Sequence, residues 1–165
     1  MKILFLVYHG FSDESGISKK IHYQVKGMEQ NGHEVHLCYY DFDTSGNRCR
    51  YVNGQVIHNY GKGKLAAIRS RLQLDCIYNY CIEHSIELMY VRSFMNASPV
   101  LVRLFKRIKS VGINSVMEIP TYPYDKEVSG YCLNDMVSLQ IDKLFRNQLA
   151  SQMESIVTFS DADRI

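Results

Sequence analysis

The sequence predicts an α/β domain in three layers, with helices on both sides of a mainly parallel sheet. Two observations carry that expectation. Short apolar runs alternate with stretches of helical periodicity from end to end, and such alternation returns each strand in the same direction through a right-handed crossover. The chain has 165 residues, which fits one core and leaves little room for a second.

The first apolar run, residues 2–8, reads as a buried strand and is too short for a signal-peptide core or a membrane span. Turn and cap residues at 13–16 precede Ile17, Ile21, Val25 and Met28, which recur at helical spacing. Asn31-Gly32 closes that helix, because glycine takes the left-handed conformation without a Cβ clash, and 34–40 follows as the second strand. After a polar connection over 41–50, Asn53-Gly54 has the composition of a two-residue hairpin turn within 50–57. Leu65, Ile68, Leu72 and Cys76 mark the apolar face of one long helix running to about His84, ahead of a strand at 87–91.

Pro99 fits the first turn of the next helix, whose apolar face holds Leu101, Leu104, Phe105 and Ile108. Gly112 stops it, 114–119 is the next strand, and Pro120 and Pro123 forbid regular structure directly after. A last helix over about 135–153 is expected to bury Val137, Ile141, Leu144 and Leu149, with a strand at 155–159 after it. Ser160 to Asp163 looks like a helix start, and the sequence ends at Ile165 roughly one turn later. The chain therefore reads as a fragment of a longer protein.

Hydrophobic residues make up 46% and charged residues 22%, proportions of a globular protein rather than a disordered one. A formal charge of +2 is too mild to suggest nucleic-acid binding. Five cysteines without a C-x-x-C pair fit reduced thiols in cytoplasm, and six histidines lack a metal signature, so no metal site is expected. Arg103, Lys106, Arg107 and Lys109 form a basic helix face that is able to touch an anionic membrane, although such a face is usually only solvated.

In an open parallel sheet, ligands bind beyond the carboxyl ends of the strands. Three loops reach that rim. The loop from His9 to Ser18 runs into the first helix, so Ser15, Gly16 and Ile17 can face an anion with backbone N–H groups, or Gly16 simply permits a turn. Its pattern is not the G-x-G-x-x-G of dinucleotide sites. Arg92 ends the strand at 87–91 and can clamp a carboxylate or phosphate, or form an ordinary salt bridge. Glu118, with Thr121, Tyr122 and Tyr124 after it, places a carboxylate beside aromatic faces that suit sugars. That glutamate can bind hydroxyls, act as a base, or anchor the loop.

Taken in order, residues 2–7, Ser15-Gly16-Ile17, the segment Asn31-Gly32-His33-Glu34-Val35-His36-Leu37, Tyr90-Val91-Arg92, Glu118-Ile119-Pro120 and residues 156–160 resemble the amino-terminal half of family 4 glycosyltransferases of the GT-B fold. The resemblance covers essentially the whole chain, and it lies in the order of the motifs rather than in any one of them. It implies a Rossmann-like first domain, spanning 1–165, that binds the acceptor, with a carboxyl-terminal donor-binding domain absent from this sequence. It further implies sugar transfer from a nucleotide-sugar donor to a glycan or lipid-linked acceptor, with retention of configuration and without metal or cofactor. Ser15, Gly16 and Ile17 would then face donor phosphate or the interdomain cleft, while His9, Arg92, Thr121, Tyr122 and Tyr124 would meet the acceptor. Many relatives carry paired glycines where this chain has Ser15-Gly16, and a histidine near the end of the strand where this chain has Glu118, so Glu118 carries over only as an acceptor ligand or base. The alternative is a stand-alone Rossmann-like module that binds a nucleotide or effector.

Overall fold

The computed structural model describes residues 1–8, 10, 15–93, 96–120 and 133–159, with the backbone alone at 133–135. Among these residues there are seven strands, mostly parallel, and five helices, so the α/β class holds. The chain divides into two compact units, Met1–Tyr90 and Val91–Ile165.

The first unit opens with β1 (Lys2–Leu6), α1 (Gly16–Gln30) and β2 (Glu34–Phe42), and β1 and β2 are parallel neighbours. Ile3 to Val7 are at most 2% exposed, as a strand covered on both faces requires. Ser15 caps α1 by accepting the Ser18 N–H at 3.4 Å. Gly32 ends it at φ +80°, where its N–H reaches the Glu29 carbonyl and that of His33 reaches Met28, a paired closure that consumes two orphan carbonyls. Of the expected α1 stripe Ile21 is buried and Val25 and Met28 are partly covered, whereas Ile17 is 51% exposed.

The antiparallel strands β3 (Arg48–Val52) and β4 (Gln55–Asn59) follow, joined by Asn53 at φ 48° and Gly54 at φ 81°. Two successive positive φ values match the right-handed strand twist, which is why Asn-Gly stands there. Asn53 also reaches sideways: its N–H donates to the Leu37 carbonyl at 3.0 Å, its Oδ1 accepts from the Leu37 N–H at 2.8 Å, and its Nδ2 donates to the Val35 carbonyl at 3.4 Å.

The expected long helix is two helices, α2 (Gly63–Leu72) and α3 (Asp75–Glu83), broken at Gln73 and Leu74. Its face is also different. Leu65, Ile68 and Leu72 are 65%, 52% and 56% exposed, while Ala66, Ser70, Leu74, Ile77 and Cys81 turn inward. Small Ala66 and Ser70 let α2 approach β3 closely, and the break then swings Leu74 into the core. β5 (Leu88–Arg92) lies beside β1, giving the order β4-β3-β2-β1-β5, and the boundary between the units falls inside this strand.

In the second unit the end of β5 leads to α4 (Pro99–Ser110), β6 (Asn114–Ile119), α5 (Leu133–Ala150) and β7 (Ser155–Thr158), with β6 and β7 parallel. Ser98 caps α4 by accepting the Leu101 N–H at 3.3 Å, and Pro99 takes the first turn, where a missing N–H costs nothing. Leu101, Leu104, Phe105 and Ile108 are buried as the spacing requires. In α5, by contrast, Val137, Ile141 and Leu144 are 53%, 40% and 72% exposed, and Leu139, Asp142 and Leu149 are inside. A buried hydrogen bond explains the rotation: the Ala97 N–H donates to Asp142 Oδ1 at 2.9 Å, which turns the Asp142 face inward. The expected helix start at 160–163 and the irregular segment after Pro120 lie outside the described residues.

Candidate functional site

Each unit brings part of the expected site to the carboxyl ends of its strands. In the first unit the chain leaves β1 and enters α1 at Ser15, whose extended backbone at φ −76°, ψ 122° aims the first turn. No acidic residue stands in that first turn. A Cβ built on Gly16 meets nothing within 4 Å, so the fold itself does not demand glycine there. The glycine that the fold does use is Gly10, whose Cβ would stand 3.3 Å from the Tyr40 carbonyl oxygen and 3.5 Å from Asp41 Oδ1. His9 lies outside the described residues.

Beneath this rim sits a charge that the sequence reading missed. Arg50 of β3 is fully buried, with Nη1 3.5 Å from the Val7 carbonyl and its guanidinium carbon 5.3 Å from the centre of the Tyr40 ring. Burial works against its charge, but Cys38, Tyr60 and Tyr8 around it more than offset this and hold its pKa above the usual guanidinium value. Burial likewise pushes the Tyr8 phenol up and the Cys38 thiol up to about 12, with Arg50 opposing both. Arg50 Nε and the Tyr8 hydroxyl have no hydrogen-bond partner among the described residues. The available signal was alternation: Arg50 lies two residues from Val52, on the face that a strand turns to its core.

In the second unit Arg92 and Glu118 come together. Arg92 Nη1 donates to Glu118 Oε1 at 2.5 Å, with the two side chains 10% and 0% exposed. The Ser93 N–H donates to the Glu118 carbonyl at 2.8 Å, and Ser93 Oγ donates to Asn96 Oδ1 at 2.8 Å, so the ends of β5 and β6 are tied by backbone and side chains alike. The pairing ties the Glu118 side chain to the end of β5, and the loop it was expected to anchor lies outside the described residues. Thr121, Tyr122 and Tyr124 lie outside the described residues.

An open groove of the first unit, about 670 Å³, lies elsewhere. His22, Val25 and Lys26 of α1 and Val35, Leu37 and Tyr39 of β2 line it, and none of residues 15–17 does. Among the histidines, His36 is held by packing chemistry, its Nδ1 2.9 Å from the Tyr80 hydroxyl and its Nε2 3.0 Å from Glu34 Oε1. Among the described residues no group of His, Cys, Asp or Glu is placed to hold a metal ion, and no helix is long and apolar enough to cross a membrane.

Compared with known protein families the sequence matches none, and it matches none of the curated proteins.

Proposed function

We propose that the chain is the amino-terminal, acceptor-binding half of a family 4 glycosyltransferase of the GT-B fold, which transfers a sugar from a nucleotide-sugar donor during polysaccharide or glycan assembly. One observation carries the reading: a buried strand, a Ser15-capped helix with an acid-free first turn, and a Gly32-His33-Glu34-Val35 turn into a parallel β2 occur in the order the family resemblance calls for. A helix start of that kind at the carboxyl end of a strand attracts anions through its dipole. In this reading a second domain holds most of the donor, and residues 15–17 face its phosphates.

The acceptor, a glycan or lipid-linked sugar, meets His9, Thr121, Tyr122 and Tyr124, with Arg92 directed at an anionic group. Glu118 acts through Arg92, whose guanidinium it orients. Service as a base requires that pair to open. In this reading the enzyme works in the cytoplasm.

The test offers the gene's full product radiolabelled nucleotide sugars together with lipid-linked and free glycan acceptors. Metal-independent transfer of label is expected. Absence of both transfer and donor binding with every acceptor class overturns the reading. Tight mononucleotide binding by residues 1–165 alone favours the self-contained nucleotide- or effector-binding module instead.

A further inference from the structure

We propose that α2 is a membrane-docking helix that lays Leu65, Ile68 and Leu72 into the headgroup boundary of an anionic bilayer. The three side chains recur at i, i+3 and i+7, so they form one line along the helix, and all are more than half exposed. That line lies opposite Ala66 and Ser70, which face the core. The usual arrangement of a surface helix is inverted here, with small residues inside and large apolar ones outside.

Charge selects the occupant. At 3.6 residues per turn Lys64 and Arg71 fall along one flank of the apolar line, and Lys62 and Arg69 along the other. All four are exposed, and no acidic residue occurs between Gly61 and Leu74. Long basic side chains on both flanks can reach up to phosphate groups while the apolar line sinks between them. A second copy of the same face would bring like charges together on both flanks, which disfavours self-association. The basic face of α4 lacks the other half of the pattern, because Leu101, Leu104, Phe105 and Ile108 are buried beneath it.

Three apolar side chains on a ten-residue helix hold only weakly by themselves, so binding depends on anionic lipid and falls with salt. The chain has no tryptophan, so Ile68→Trp supplies a single indole that can be excited to the red of tyrosine absorption. Its emission is expected to shift to the blue when vesicles containing about one-third phosphatidylglycerol are added, and to stay unchanged with phosphatidylcholine alone. Lys64→Gln with Arg71→Gln weakens sedimentation with the anionic vesicles by about fivefold per cation removed. The triple variant Leu65→Gln, Ile68→Gln, Leu72→Gln abolishes sedimentation at an unchanged circular-dichroism spectrum. Should that variant misfold, the fluorescence and charge-variant results decide.

Unshifted emission from the Ile68→Trp variant, together with wild-type chain left in the supernatant, overturns the proposal. So does light scattering that shows a dimer broken by the triple variant, or binding of the stripe to an acidic protein at the expense of vesicles. Glycosyl transfer to a soluble acceptor is measured without vesicles, so failure here leaves the transferase reading standing, and the reverse holds too.

Discussion

The guanidinium of Arg92 and the carboxylate of Glu118 neutralise one another at the carboxyl ends of β5 and β6, where the acid has no contact with solvent. Removing one partner takes away the opposite charge that the other meets in a dry environment. Arg92→Met and Glu118→Leu are each expected to lower stability by about 3–5 kcal/mol in urea denaturation, and the double variant to recover most of that loss. Single variants within about 0.5 kcal/mol of wild type would mean that the pair does not hold the strand ends.

Asp142 sets the rotation of α5 through the Ala97 N–H, a bond across 45 positions of sequence. Asp142→Ala leaves that buried donor unsatisfied at a cost of about 1–3 kcal/mol, and the Ala97 amide should lose its protection from hydrogen exchange. Asp142→Asn keeps the accepting oxygen and should keep most of the protection. Equal protection in the alanine variant would show that another group fixes the helix.

Gly16 separates fold from function. Since a Cβ there touches nothing, Gly16→Ala should leave thermal stability unchanged or slightly raised. Under the transferase reading the same methyl group crowds the ligand phosphates, and kcat/KM is expected to drop about tenfold, which is about 1.4 kcal/mol. Full activity in the alanine variant removes Gly16 from the site.

Burial pushes the thiols of both Cys38 and Cys81 up to about 12 from an ordinary 9.0. Both therefore stay protonated in the folded chain at pH 8, and an aromatic disulfide reagent should label them only after denaturant is added. The linkage follows. Between pH 9 and 12 the unfolded chain has released protons that the folded chain keeps, so their contribution is complete below about 9 and disappears as pH rises towards 12. A melting temperature that rises over that window would contradict the assignment.

Local signals made the β-α-β opening readable. Ser15, Gly32 and the Asn53-Gly54 pair act within a few residues of their own positions, and each stands where its chemistry is needed. The orientation of α2 and α5 was not readable in the same way. Apolar spacing named Leu65, Ile68, Val137 and Leu144, but Ala66, Ser70 and Asp142 decide which side faces in, through close approach and a distant hydrogen bond. The same limit applied to the site. Arg92 and Glu118 could each be singled out from their strand ends, whereas their mutual neutralisation joins residues 26 positions apart and is a property of the packed strands. Arg50 escaped notice because an arginine in a hairpin strand ordinarily points to water.

The three bonds from Asn53 to Val35 and Leu37 have a consequence for how copies of this chain behave at high concentration. They occupy three of the backbone positions beyond the reach of β3 that an invading strand would need. A turn residue thus serves as a plug, and the apolar start of β2 becomes a poorer template for runaway strand-by-strand aggregation.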